Sequence, residues 1–115
     1  MKIINQTKGI VLAESAELAE SFFSRLKGLL GRSGLANGEA LIIKRCNSIH
    51  TLFMRFPIDV MFVGKDNRVV KTLSKVKPFR LSGVYFGACL AIELPSGVIV
   101  ASQTKEFDLL NFETV

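Results

Sequence analysis

Residues 57–75 read PIDVMFVGKDNRVVKTLSK. Pro57 fixes its own φ and biases Phe56 away from helix. In a strand over 57–63 the side chains alternate: Ile58, Val60 and Phe62 on one face, Asp59, Met61 and Val63 on the other. Both faces are apolar, the pattern of a strand covered on both sides. Gly64-Lys65-Asp66-Asn67 supplies turn residues, and residues 68–75 return as a second strand, so the stretch reads as a hairpin. Asp59 is the anomaly, because a carboxylate screened from water must find donors or shift its pKa upward.

Outward from this hairpin, residues 2–5, 9–13, 39–44, 86–94 and 107–112 read as strands, and 48–54 as extended chain. Ser96 is placed to cap a short helix over 97–102. Ser15 is expected to open the main helix, whose apolar stripe is Leu18, Phe22, Leu26 and Leu29. Glu17 and Glu20 near its start and Arg25 and Lys27 near its end complement the helix dipole, and Gly28 and Gly31 would stop it. The expected architecture is α+β: a mostly antiparallel sheet or partly closed barrel, with one main N-terminal helix packed on it. The 115 residues form one domain, 1–115, long enough for a core without disulfides or metals.

Composition narrows the class. Apolar residues make up 49% and charged residues 22%, which excludes disorder. Mean hydropathy is +0.35, high enough that the chain either buries its apolar residues efficiently or keeps an apolar surface for a partner. No apolar run approaches the ~20 residues of a membrane-spanning helix. In MKIINQTKGIVLAE no apolar leader core develops, so a cytoplasmic location and no membrane partner are expected. Cys46 and Cys89 are not spaced as a CxxC pair, and the disulfide state stays open. The net charge of +5 is uneven: residues 25–80 hold 12 basic and 3 acidic side chains, the flanks 3 and 7. Either the flanks pack beside the middle and offset it, or a basic face results, suited to phosphates or acidic proteins.

Two acids interrupt apolar strands. Asp59 is one; Glu93, in Cys89-Leu90-Ala91-Ile92-Glu93-Leu94, is the other. Arg25, Arg55 and the sole histidine, His50, are the candidate partners. With Thr51, these residues make up the candidate ligand-binding set: Arg25, His50, Thr51, Arg55, Asp59 and Glu93. The plainer reading is that both acids fix strand register through arginines or backbone N–H groups and serve no chemistry.

RLKGLLGR at 25–32, GEALII at 38–43, CNSIHTLFMRFPIDVMFV at 46–63 and AIELPSG at 91–97 together resemble the DUF192 family, small bacterial and archaeal domains of unknown function. The resemblance covers about residues 10–113. It points to Arg25, Gly28, Leu29, His50, Thr51, Met54, Pro57, Asp59, Glu93 and Gly97. Many members carry a leader or lipid anchor. Many also carry Gly-Asp before the last strand, where this chain has Phe107-Asp108; Phe is not expected to take a positive φ as Gly does.

The leading functional expectation is a non-catalytic domain binding a small molecule or peptide in an apolar cleft with convergent polar groups. The alternatives are a hydrolase using Cys46, His50 and Asp59, and a protein-interaction module with no small-molecule site. No cofactor and no metal are expected. His50, Met54 and Met61 offer soft ligands for Cu(I), but methionines in apolar runs are usually core filling. Lys65, Arg68, Lys71, Lys75, Lys77 and Arg80 form a basic arm, yet lysines on an edge strand guard against aggregation, which makes nucleic acid a poor fit.

Overall fold

The computed structural model describes residues 1–19, 35–51 and 54–114. Eight strands are found among them: β1 Lys2–Asn5, β2 Ile10–Ala13, β3 Ser15–Ala19, β4 Glu39–Lys44, β5 Ile58–Val63, β6 Val69–Val76, β7 Leu90–Pro95 and β8 Leu110–Glu113. One short helix, α1, spans Val98–Ser102. The strands form two open sheets, ordered β2-β1-β8 and β3-β4-β7-β5-β6.

This corrects the expected α+β class. The described chain is mostly strand, its sheets do not close into a barrel, and α1 is its one helix. Ser15–Ala19, read as the opening of the main helix, is a strand running parallel to β4 with Ala16 beside Ala40 and Leu18 beside Ile42. Pairing outweighs the local helical pattern. The small residues Ala16 and Ala19 are buried on opposite faces, while Leu18, assigned to the apolar stripe, is 37% exposed. The rest of that expected helix lies outside the described residues. Nor is the large sheet a simple meander: β7 inserts between β4 and β5 and pairs antiparallel with both.

The 57–75 hairpin is present as β5 and β6, and every residue of β5 is buried. On one face of the large sheet, Ile42, Met61, Val63, Ile92 and Leu94 pack against Ile3, Leu12 and Leu110 of the small sheet and Ile99 of α1. On the other, Leu41, Ile43, Ile58, Val60, Phe62 and Ala91 pack with Ile49, Met54, Phe56 and Tyr85 from the connecting segments. Full burial of a side chain such as Phe62 contributes about 1.5–3 kcal/mol. Its ring also meets Tyr85 at 4.7 Å between centroids, tilted by 44°.

Candidate functional site

Strand alternation decides which of the two acids can act together. In β7, Glu93 stands beside Leu41 of β4 and Val60 of β5, so it faces the side of the sheet covered by Ile49, Met54 and Tyr85. Asp59 stands beside Leu94 and faces the opposite side, toward the small sheet and α1. Both are fully buried. The sheet itself therefore separates them.

Asp59 is satisfied by backbone. One oxygen accepts the Lys75 N–H at 2.8 Å; the other accepts those of Gly97 at 3.1 Å and Ile99 at 2.8 Å. It thus caps α1 from a neighbouring strand and pins the bulged end of β6, where Lys75 has φ 53°. Ser96, expected to cap this helix, does not; the N-cap residue is Gly97 at φ 102°, with no side-chain bond of its own.

Thr51 is also buried and binds backbone. Its hydroxyl donates to the Lys77 carbonyl at 2.7 Å and accepts the Arg80 N–H at 2.9 Å, holding the 77–80 turn. His50 is half-buried in an isolated bridge to Leu81, and Arg55 is exposed. Arg25 lies outside the described residues. The structure thus places His50 and Thr51 beside residues 77–82, Glu93 on the sheet face those segments cover, and Asp59 on the far face.

The members of the hydrolase set have other partners. Both Asp59 oxygens accept backbone N–H groups on the α1 side of the sheet, whereas His50 lies in the bridge to Leu81. The Cys46 thiol donates to the Ser48 carbonyl at 2.9 Å, and Cys46 and Cys89 are thiols, not a disulfide. Met54 and Met61 are buried in the cores on opposite sheet faces, which divides the Cu(I) set.

A second polar network escaped the sequence reading. Asn5 donates to Thr104 at 2.9 Å and to Asp108 at 3.0 Å, Lys8 reaches Asp108 at 3.3 Å, and the Ser102 and Thr104 hydroxyls lie 2.7 Å apart. Burial by itself would raise the Asp108 pKa. Hydrogen bonds from Asn5, the Lys105 N–H and Lys8, with the Lys8 charge, outweigh it and hold the carboxyl below its ordinary value. No motif marks these residues. The hint is Asn5, a polar residue closing an apolar strand, which is fully buried. The network ties β1 to the segment before β8. Beside it, Phe107 takes φ 73°, against the expectation that Phe avoids this region.

Among the described residues, a concave feature that sequence reasoning missed is a groove of about 620 Å3 between the β5–β6 turn, residues 86–89 and Phe107. Phe86 and Phe107 flank it, 90% and 76% exposed. Gly64, Gly87, Val69 and Val70 line it, with Lys65, Asp66 and Arg68 on the turn. The close approach needs Gly64: a Cβ there would stand 3.2 Å from the Gly87 carbonyl oxygen and 3.1 Å from Asp66. Arg68 donates to the Phe107 carbonyl at 2.9 Å, which positions that residue's backbone. The signal was available in part, as two phenylalanines in polar, turn-rich surroundings.

Fold and site together define a two-sheet β domain whose buried acid Asp59 holds backbone and whose surface carries an aromatic-lined groove. The chain belongs to the DUF192 family, described as an uncharacterized ACR, whose model matches residues 3–112. A UPF0127 protein of Thermococcus sibiricus is 37% identical over 96% of this chain and 74% of its own length. One from Pyrococcus furiosus is 32% identical, over 96% of this chain and 97% of its own. Among solved structures, a protein of unknown function from Novosphingobium aromaticivorans matches with a TM-score of 0.84 at 22% identity, covering 97% of this chain and 84% of that one. A Sinorhizobium meliloti protein, named as a candidate transcription regulator, matches with a TM-score of 0.78 at 17% identity, covering 96% and 89%. At these identities the structural likeness concerns the fold. Among the described residues, no helix is long and apolar enough to cross a membrane.

Proposed function

We propose that this is a non-catalytic binding domain and that its ligand site is the groove flanked by Phe86 and Phe107. The observation that carries the reading is the combination in one concavity of two exposed aromatic rings, a glycine-lined floor and the cations Lys65 and Arg68. Flat apolar groups stack on such rings, and an anionic substituent is favoured beside a guanidinium. The ligand class that fits is an aromatic or apolar molecule, or a peptide end, with one acidic group. The set His50, Thr51, Arg55, Asp59 and Glu93 supports this reading only as scaffold. Asp59 and Thr51 hold backbone, and Glu93 is buried in the sheet.

The test uses 8-anilinonaphthalene-1-sulfonate, a flat aromatic sulfonate, titrated into the whole chain with amide NMR detection. Saturable shifts clustered at residues 64–70, 86–89 and 107 are expected. They should be lost in Gly87→Leu, since a Cβ at Gly87 meets nothing closer than Val70 at 3.9 Å and the longer side chain fills the groove without displacing its walls. Shifts elsewhere, or unchanged binding by Gly87→Leu, would remove the groove as the site.

A further inference from the structure

We propose that residues 75–86 are an interfacial anchor that seats the domain on an anionic lipid surface. The segment holds a concentration of exposed apolar side chains: Phe79 is 59% exposed, Leu81 75%, Val84 52% and Phe86 90%. Phe86 also flanks the groove, but Phe79, Leu81 and Val84 stand outside it, so this inference does not rest on the ligand proposed there. The segment's own turns are anchored from beneath. Thr51 holds Phe79 and Arg80 by their N–H groups, the Ser82 N–H binds the Ile49 carbonyl at 2.9 Å, and the Tyr85 N–H binds that of Asn47 at 2.9 Å. Leu81, Val84 and Phe86 thus stay largely exposed on a secured backbone. A run of exposed apolar side chains along one segment marks a contact surface.

Charge selects the occupant. Residues 67–92 contain five basic side chains and no acid, and the adjoining segment 44–56 contains three and none. Lys44, Arg45, Arg55, Lys75, Lys77 and Arg80 are exposed. Apolar anchors bracketed along the chain by cations, with no acid in either segment and Asp66 only at the Phe86 end, are the arrangement of a peripheral lipid contact. The anchors also project outward, up to the 90% exposure of Phe86, and a fluid interface accepts projecting side chains without needing a matching concavity. The expectation of no membrane partner rested on the lack of a spanning stretch, which a surface contact does not require.

Co-sedimentation of the whole chain with vesicles tests this, comparing phosphatidylcholine alone with phosphatidylcholine mixed with phosphatidylserine. Binding is expected only to the anionic vesicles and is expected to fall as salt screens it. Leu81→Ser with Val84→Ser, and separately Lys77→Glu with Arg80→Glu, should each lower partitioning by about tenfold or more at unchanged melting temperature. The wild-type salt dependence stands whatever the variants do. Three outcomes overturn the proposal: wild-type protein left in the supernatant with anionic vesicles, variants that bind as the wild type does, or vesicle-independent self-association in native mass spectrometry, which would assign the segment to a protein contact.

Discussion

The two oxygens of Asp59 collect N–H groups from β6 and from the start of α1, elements that β5 alone could not join. Replacing the carboxylate with an amide presents an N–H2 where donors already converge. Asp59→Asn is expected to lose about 2–3 kcal/mol of stability, as charged hydrogen bonds go and buried donors are left unmet. Urea unfolding measures it, and a loss below the error of that measurement would deny Asp59 its capping role. Phe107 gives the opposite sign. Its side chain is exposed and its φ of 73° is one that glycine takes without strain. Phe107→Gly should therefore stabilise by about 0.5–1 kcal/mol, the relief of left-handed strain less the added chain entropy of glycine. A thermal melt that falls would show that the ring contributes packing instead. Asp108 carries the pH dependence. Its folded pKa lies below the ordinary 3.8, so its contribution is present above that pH and is lost as pH falls through the folded value. Asp108→Asn should flatten the stability profile below about pH 4, where the wild type loses stability. Parallel acid profiles for the two proteins would contradict this.

At the scale of elements, strand positions were legible where alternation and turn chemistry agreed. Residues 39–44 are a strand over the span read from the sequence, and the 64–67 turn joins β5 to β6 as its glycine and polar residues indicated. The Ser15–Ala19 segment was misread because Leu18 and Glu17 fit a helical spacing equally well. What decides it is β4, twenty residues on, whose parallel edge accepts Ala16 and Ala19 as inward-facing small residues. A parallel partner leaves no mark in a local window. The same holds for β7, whose insertion between β4 and β5 brings Pro95 beside Ile58 and so sets α1 over Asp59. The connecting segment 77–80 is held by the backbone and the hydroxyl of Thr51. Thr51→Val keeps the shape and removes the bonds to Lys77 and Arg80. It should cost about 1–2 kcal/mol and speed amide exchange at Phe79 and Arg80 ahead of the rest of the chain. Exchange at those amides no faster than in β6 would show that the turn is held otherwise.

Across the whole molecule, the candidate polar set was legible as a list of residues and illegible as a place. Period-two alternation puts Asp59 and Glu93 each on a definite face of its own strand, but only the β5–β7 register, with Val60 beside Glu93, shows that those faces are opposite. A local window shows two phenylalanines in turn-rich surroundings but not the groove, since Phe86 and Phe107 come together only when residues 107–110 pair along the start of β6. That arrangement sets the two proposed surfaces side by side, sharing Phe86 but no other aromatic. They should therefore separate under mutation. Gly87→Leu fills the groove and leaves Leu81, Val84 and the exposed cations in place, so it is expected to abolish anilinonaphthalene sulfonate binding while vesicle binding, carried by those side chains, stays within about twofold of wild type. Leu81→Ser with Val84→Ser should do the reverse. If either variant removes both activities at an unchanged melting temperature, the groove and the 75–86 segment form one surface, and a lipid acyl chain or headgroup entering between Phe86 and Phe107 becomes the ligand to test.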